Sequence, residues 1–418
     1  MVGLAELHSR PVLGLGPNWR QFALLVAINA FVGGMVGMER SVLPLLAKDE
    51  FGIASSTAAV SFVASFGLAK AIANLYAGNL SERFGRRSVL IAGWLFAVPV
   101  PFILIFAPSW GWVIGANLLL GVNQGFAWSM TVNMKIDLVG PSRRGLALGL
   151  NEAAGYLSVA VAAYLAGVIA QSHGLRPEPF YLGIAFAAVG LALSVCFARD
   201  TSGHMRVEAG PHAAATPLRR AFAEATWRRP RLVSLTQAGF VNNLNDGLAW
   251  GIFPLFFAAS GLSIERIGLL AASYPLVWGG LQLVTGWTSD IFGRTPLIVA
   301  GMLIQGIALA IAGVGDSFGT WLIALGLLGL GTAMVYPTLL ASIGDLVRPT
   351  DRATTLGVYR FWRDGGAMAG ALLGGAVADL FGFKLAIELV AVLTAGSGVA
   401  VLVIALMKPG RTGQEVTV

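Results

Sequence analysis

The chain has 418 residues, 56% of them hydrophobic and 12% charged, with a formal net charge of +7. A soluble protein carries about 25% charged residues, so half that share, with a mean hydropathy of +0.74, excludes an ordinary soluble domain. The positive charge does not indicate nucleic-acid binding, because the basic residues lie in short loops beside apolar runs, a pattern that records membrane topology.

The first 20 residues lack the apolar core of a signal peptide, so the first apolar run is expected to remain as a span. Twelve spans follow in chain order, at 22–45, 55–79, 88–107, 110–134, 145–170 and 180–198, then 231–258, 264–287, 295–314, 318–342, 353–377 and 384–406. Lipid leaves no partner for an exposed backbone, so these continuous runs are helices; a β-barrel would alternate apolar and polar residues. The expected class is an all-α membrane protein. Its units are an N-terminal six-helix bundle (1–198), a central loop (199–230) and a C-terminal six-helix bundle (231–418).

Of the 28 Lys and Arg, 20 fall on the side that holds both termini and four, Lys48, Arg176, Arg266 and Lys384, in the opposite loops. The remaining four, Arg40, Lys70, Arg360 and Arg363, fall within spans. The positive side is cytoplasmic, which places both termini inside, in a multi-pass protein of the bacterial inner membrane. In the central loop, TPLRRAFAEATWRRP from Thr216 reads either as a basic amphipathic helix on anionic lipid or as a solvated linker.

The chain repeats itself. Residues 78–87, GNLSERFGRR, recur in weaker form as GWTSDIFGRT at 286–295, a shift of 208 residues (286 minus 78). Gly78, Ser81, Phe84, Gly85 and Arg86 land on Gly286, Ser289, Phe292, Gly293 and Arg294, with Glu82 on Asp290. Further on, DLVGPSRRGLALG from Asp137 lands on DLVRPTDRATTLG from Asp345. In the first spans LPLLA at Leu43 matches FPLFF at Phe253, with a two-residue gap. Two six-helix halves in parallel repeat are one plan of secondary transporters.

The run Gly78-x-Leu80-Ser81-Glu82-Arg83-x-Gly85-Arg86-Arg87-x-x-Leu90 resembles the loop 2–3 signature of the major facilitator superfamily, and the degenerate copy lies between spans eight and nine. The resemblance covers nearly the whole chain. It implies twelve helices in two pseudo-symmetric bundles and transport by alternating access, with spans one, two, five, seven, eight and eleven along the route. It also implies a gating motif formed by Gly78, Glu82, Arg83, Gly85, Arg86, Arg87, Asp290 and Arg294. Glu82 would face the start of span eleven, Asp290 the start of span five, and the arginines would pair across the same interface. Two family features are missing: Gly121 stands where span four often carries an arginine, and span five lacks the antiporter Gly-Pro-x-x-Gly-Gly run.

Ionisable groups within spans are costly and face a cavity or a partner. Lys70 and Asn74 share a face of span two. Glu152 lies two turns into span five, beside Asn151. Asn242, Asn245 and Asp246 follow i, i+3, i+4 spacing in span seven, as do Arg360, Arg363 and Asp364 in span eleven. Lys70, Asn74, Glu152, Asn242, Asn245, Asp246, Arg360, Arg363 and Asp364 are therefore the candidate substrate and proton pathway, with Asp246 and Glu152 as proton carriers. Glu39 and Arg40 read either as an outer gate or as snorkelling side chains. Tyr156, Trp250, Tyr274, Trp278, Tyr359, Phe361 and Trp362 accompany these charges, a mixture suited to an amphiphilic ligand.

No catalytic, metal or cofactor site is expected. Cys196 is the one cysteine, and His8, His173, His204 and His212 all lie outside the spans; no P-loop is present. The expected function is a secondary transporter of a small organic molecule, working as proton-coupled efflux by a monomer in contact with membrane lipid. An uptake symporter or facilitator for a small anionic metabolite is the second reading, and a non-transporting receptor or scaffold the third.

Overall fold

An unpaired N–H or C=O cannot be left in hydrocarbon, so each crossing must close its hydrogen bonds within itself. The computed structural model describes residues 11–140, 144–209, 217–347 and 351–407, and no strand occurs among them. Six crossings form the first half: span one Leu15–Arg40, span two Ser61–Phe84, span three Arg86–Ala97 with Pro99–Phe106, span four Trp110–Asn123 with Ser129–Val139, span five Arg144–His173 and span six Tyr181–Cys196. Six form the second: span seven Pro230–Ala259, eight Ile264–Phe292, nine Arg294–Val314, ten Phe318–Leu346, eleven Arg352–Phe381 and twelve Phe383–Leu406. The two segments of span four meet at a widened turn, Gln124–Trp128. A short helix, Ser56–Ala59, leads into span two.

Seven of these helices are long and apolar enough to cross a membrane on those grounds alone, counting span one together with the short helix Leu43–Asp49 that follows it. Spans two, four, seven, eight and eleven are not among them. They carry Lys70, Lys135, Asp246 and Asp364, whose partners inside the protein make them tolerable at depth, and span eight carries the buried Gln282.

The halves meet along two antiparallel helix pairs, span two with span eleven and span five with span eight. The approach is closest where side chains vanish. A Cβ added to Gly167 of span five would lie 2.8 Å from the Cα of Gly268 of span eight, and one added to Gly375 of span eleven 2.6 Å from the Cα of Thr57. Both contacts lie on the side away from the repeated loops.

The repeated loops have the same backbone. Gly85 and Gly293 sit at φ 85°, ψ 153° and φ 87°, ψ 157°, a left-handed region that favours glycine. Each glycine turns the chain so that the following arginine folds back. Arg86 reaches Ser81 Oγ and lies 3.1 Å from Asp137 Oδ2, while Arg294 reaches Ser289 Oγ and lies 3.3 Å from Asp345 Oδ2. All three residues of one triad map onto the other by the 208-residue shift.

Candidate functional site

At mid-depth, span eleven presents Asp364 to span two. Asn74 Nδ2 donates to Asp364 Oδ2 at 2.5 Å, and Lys70 Nζ lies 4.0 Å from Oδ1. Arg363, the next residue, donates to Asp364 Oδ1 at 2.9 Å and to the Tyr156 hydroxyl of span five at 3.3 Å. Its guanidinium lies 4.2 Å over the ring of Tyr336. Ser129 Oγ donates to Asn74 Oδ1 at 2.7 Å, so span four fixes the amide that holds Asp364. Asp364 is almost fully buried, and its partners cancel a charge that would otherwise cost several kcal/mol.

On the other crossing, Tyr156 stacks on Trp278 of span eight with ring centroids 3.6 Å apart, and Trp128 packs on Tyr156 at 5.2 Å. Lys70 Nζ lies 5.7 Å over the Trp128 ring. Trp128 Nε1 donates to Glu152 Oε1 at 2.9 Å, and Asn151 Nδ2 to the same oxygen at 3.0 Å. The other oxygen of Glu152 is buried without a hydrogen bond. Asp246 accepts from the hydroxyl of Tyr274, which also lies 3.2 Å from Thr332 Oγ1.

The structure thus brings Lys70, Asn74, Arg363 and Asp364 together, with Glu152 close by through Trp128. It departs from the sequence reading at several points. Asn242 and Asn245 do not join Asp246. They bond Gln305 of span nine, and Asn245 also accepts from Thr394 of span twelve, so they pack the second half internally. The i, i+3, i+4 pattern covers about 100° of a helix, wide enough to reach different neighbours. Asp246 is bonded by Tyr274, and Arg363 pairs with its own neighbour Asp364. Arg360 makes no ion pair among the described residues.

The loop arginines also differ from expectation. Arg86 and Arg294 pair within their own halves, as described above, and Arg87 donates to Val195 O of the first half at 2.6 Å while its backbone N–H donates to Asp200. Burial disfavours charge on Asp200, but hydrogen bonds from Ser202 and from the backbone at Arg87 hold its carboxyl below the usual range. Arg83 is exposed beside Phe84. Gly78 lies in the last third of span two with open space around it. The side chains of Glu82 and Asp290 lie outside the described residues, as do residues 348–350 before span eleven.

One group was misplaced by the sequence, and one of two readings of another falls. Lys135, assigned to a loop, is fully buried and donates to Leu25 O at 3.3 Å. Glu39 and Arg40 are fully buried too, so neither snorkels; Arg40 lies between the rings of Phe66 at 4.8 Å and Trp250 of the second half at 4.4 Å. A further contact had no signal in the sequence. Asp379, at the far end of span eleven, accepts from Ser55 Oγ at 2.7 Å, Ser56 N at 2.5 Å, Thr57 N at 3.0 Å and Thr57 Oγ1 at 2.8 Å. A carboxylate from one half therefore caps the helix that leads into span two of the other. The described hydrogen bonds between halves include those at mid-depth and those on this side.

A model of the Major Facilitator Superfamily matches residues 22–240 and again 235–417. The chain belongs to the Major Facilitator Superfamily. It is a multi-pass membrane transporter, not an enzyme. Among characterised superfamily proteins, it is 33% identical over 125 residues to the puromycin resistance protein pur8 of Streptomyces alboniger, covering 30% of this chain and 25% of that one. It is 32% identical over 127 residues to the multidrug resistance protein MdtH of Yersinia enterocolitica, covering 29% of this chain and 32% of that one. The matches thus span about a quarter to a third of these superfamily relatives. Among solved superfamily structures, the human organic anion transporter MFSD10 aligns over 92% of this chain and 99% of its own, with TM-score 0.68 and 16% identity. A POT family transporter crystallised with a thioalcohol-conjugated peptide aligns over 92% and 96%, with TM-score 0.75 and 13% identity.

Proposed function

We propose that this transporter exports a small, amphiphilic, aromatic organic molecule in exchange for protons. The observation that carries the reading is the mid-depth cluster between the halves. It sets an ionic group of Lys70, Arg363 and Asp364 beside an aromatic wall of Trp128, Tyr156, Trp278 and Tyr336. A molecule with one polar end and one flat ring meets both surfaces at once, and two relatives are named for puromycin resistance and for multidrug resistance. The units are 1–198, 199–230 and 231–418, and one chain holds the whole route, so the monomer transports. The basic loop side is cytoplasmic, in the inner membrane. The Asp379 contact then closes the outer face, and Glu82 at the end of span two closes the inner face against span eleven in the alternate state.

Asp246 and Glu152 carry the protons. A carboxylate that deep is less costly neutral than charged, and Tyr274 and Trp128 give each acid a fixed donor. The test is flux into vesicles with an imposed proton gradient, over a substrate panel that includes puromycin. Asp246→Asn is expected to keep substrate exchange but lose gradient-driven accumulation, with Glu152→Gln as the counterpart in the other half. Full coupling in both variants would exclude proton exchange by these acids. A second reading, uptake of a small anion, draws on Lys70 and Arg363, and accumulation of anions but not of aromatic cations would favour it.

A further inference from the structure

Span two has two working faces. One carries Lys70 and Asn74 toward span eleven. The other, with span four, forms an apolar groove of about 650 Å³ open to the surface, lined by Leu68, Ile72, Tyr76, Leu119 and Phe126 and ending at Arg83. Its floor exists because small residues meet there: a Cβ on Gly121 would lie 2.7 Å from that of Ala69, and one on Gly125 2.4 Å from that of Ala73. The two helices are thus drawn together along these small residues, while the larger side chains on either side form rims. Leu68, Ile72 and Tyr76 are 43%, 45% and 52% exposed, at a depth where the surroundings are lipid and not water.

From Leu68 to Arg83 is about 22 Å of helix. Half a bilayer, from midplane to the outer edge of its headgroups, is about 20–22 Å. The groove therefore runs the length of one lipid, from the acyl terminus at Leu68 to the headgroup at Arg83. The cation at that end is not spent on another residue's carboxylate among the described residues, and the only ring it faces is that of its neighbour Phe84, at 5.1 Å. We propose that this groove is a seat for an anionic phospholipid of the leaflet on the loop side, its acyl chain between spans two and four and its phosphate on Arg83. Because span two bears Lys70 and Asn74 on its opposite face, the lipid supports the helix that forms the ionic crossing. The inference stands independently of substrate and coupling ion.

Native mass spectrometry of the full chain in detergent, titrated with phosphatidylglycerol or phosphatidylcholine of equal chain length, tests it. The wild type is expected to retain phosphatidylglycerol in preference, and Arg83→Gln to lower that preference about fivefold, the effect of one cation at an anionic surface, with Arg83→Lys restoring it. Ile72→Trp and Leu119→Trp, which fill the groove, are expected to reduce retention of both lipids while Arg83→Gln affects only the anionic one. Equal retention of the two lipids by the wild type would overturn the proposal. So would an unchanged preference in Arg83→Gln, which is exposed and does not threaten folding. Displacement of the lipid by tetraphenylphosphonium would reassign the groove to entry of lipophilic cations.

Discussion

The two crossings at the centre of the molecule are the same contact made with different chemistry. By the 208-residue shift, Lys70 maps onto Trp278 and Tyr156 onto Asp364. The pair Lys70–Asp364, 4.0 Å apart between spans two and eleven, is therefore the counterpart of the Trp278–Tyr156 stack at 3.6 Å between spans eight and five. Trp128 and Tyr336 are counterparts as well, one beside Lys70 and the other beside Trp278. The loop triads kept both geometry and residue type, whereas these crossings kept geometry alone. Keeping the triads holds two bundles to one shape; letting the crossings diverge makes one contact between the halves ionic and the other aromatic.

The largest expected effect breaks the ionic crossing. Asp364→Ala leaves Lys70 and Arg363 buried without their acid, and is expected to cost about 3–5 kcal/mol, read as a lower unfolding temperature in detergent together with loss of transport. Trp278→Ala removes the aromatic counterpart at a cost of about 3 kcal/mol. Its signature differs: transport of flat aromatic substrates should fall while the pH profile of flux is retained. If the two variants lose the same substrates to the same degree, the walls do not divide the work. Asp379→Ala tests the contact between span eleven and the helix that leads into span two. Losing charge-assisted hydrogen bonds worth roughly 1–3 kcal/mol should shift the population toward opening on that side about 5- to 150-fold, measured as longer spin-label distances between positions 48 and 384. The smallest effect belongs to Asp200, which accepts from the first repeated loop at Arg87. Asp200→Asn should cost about 0.5–1 kcal/mol. Because its carboxyl is held below the usual range in the folded chain, that contribution is present above a pH of about 4 and fades as pH falls further. A cost that persisted at low pH would mean that Asp200 acts by packing.

The fold was legible because hydrocarbon enforces it: apolar runs gave twelve crossings, and the repeat aligned two halves. Depth was less legible. Lys135 looked like a loop residue because the apolar run ends beside it, but the helix continues to Val139 and buries it. Spacing shows which residues share a face and not what stands opposite, so Asn242 and Asn245 were assigned to the route when Gln305 was waiting in span nine. The charge of Arg86 could not show that Gly85 turns it back into its own half. Asp379 left no trace, since a carboxylate near a helix end is common and its partners lie more than 320 positions away.

Where Gly167 passes Gly268, the two backbones touch with no side chain between them. Such a point behaves as a fulcrum. Tyr156 and Trp278 lie eleven and ten residues along their helices from it, a lever arm of about 15–16 Å. A tilt of only about 10° about that point sweeps the aromatic pair through roughly 3 Å at the end of a 1.5 Å-per-residue helix, enough to unstack it. A methyl group at either glycine would lift the helices off their bearing and shorten the stroke without touching the substrate route.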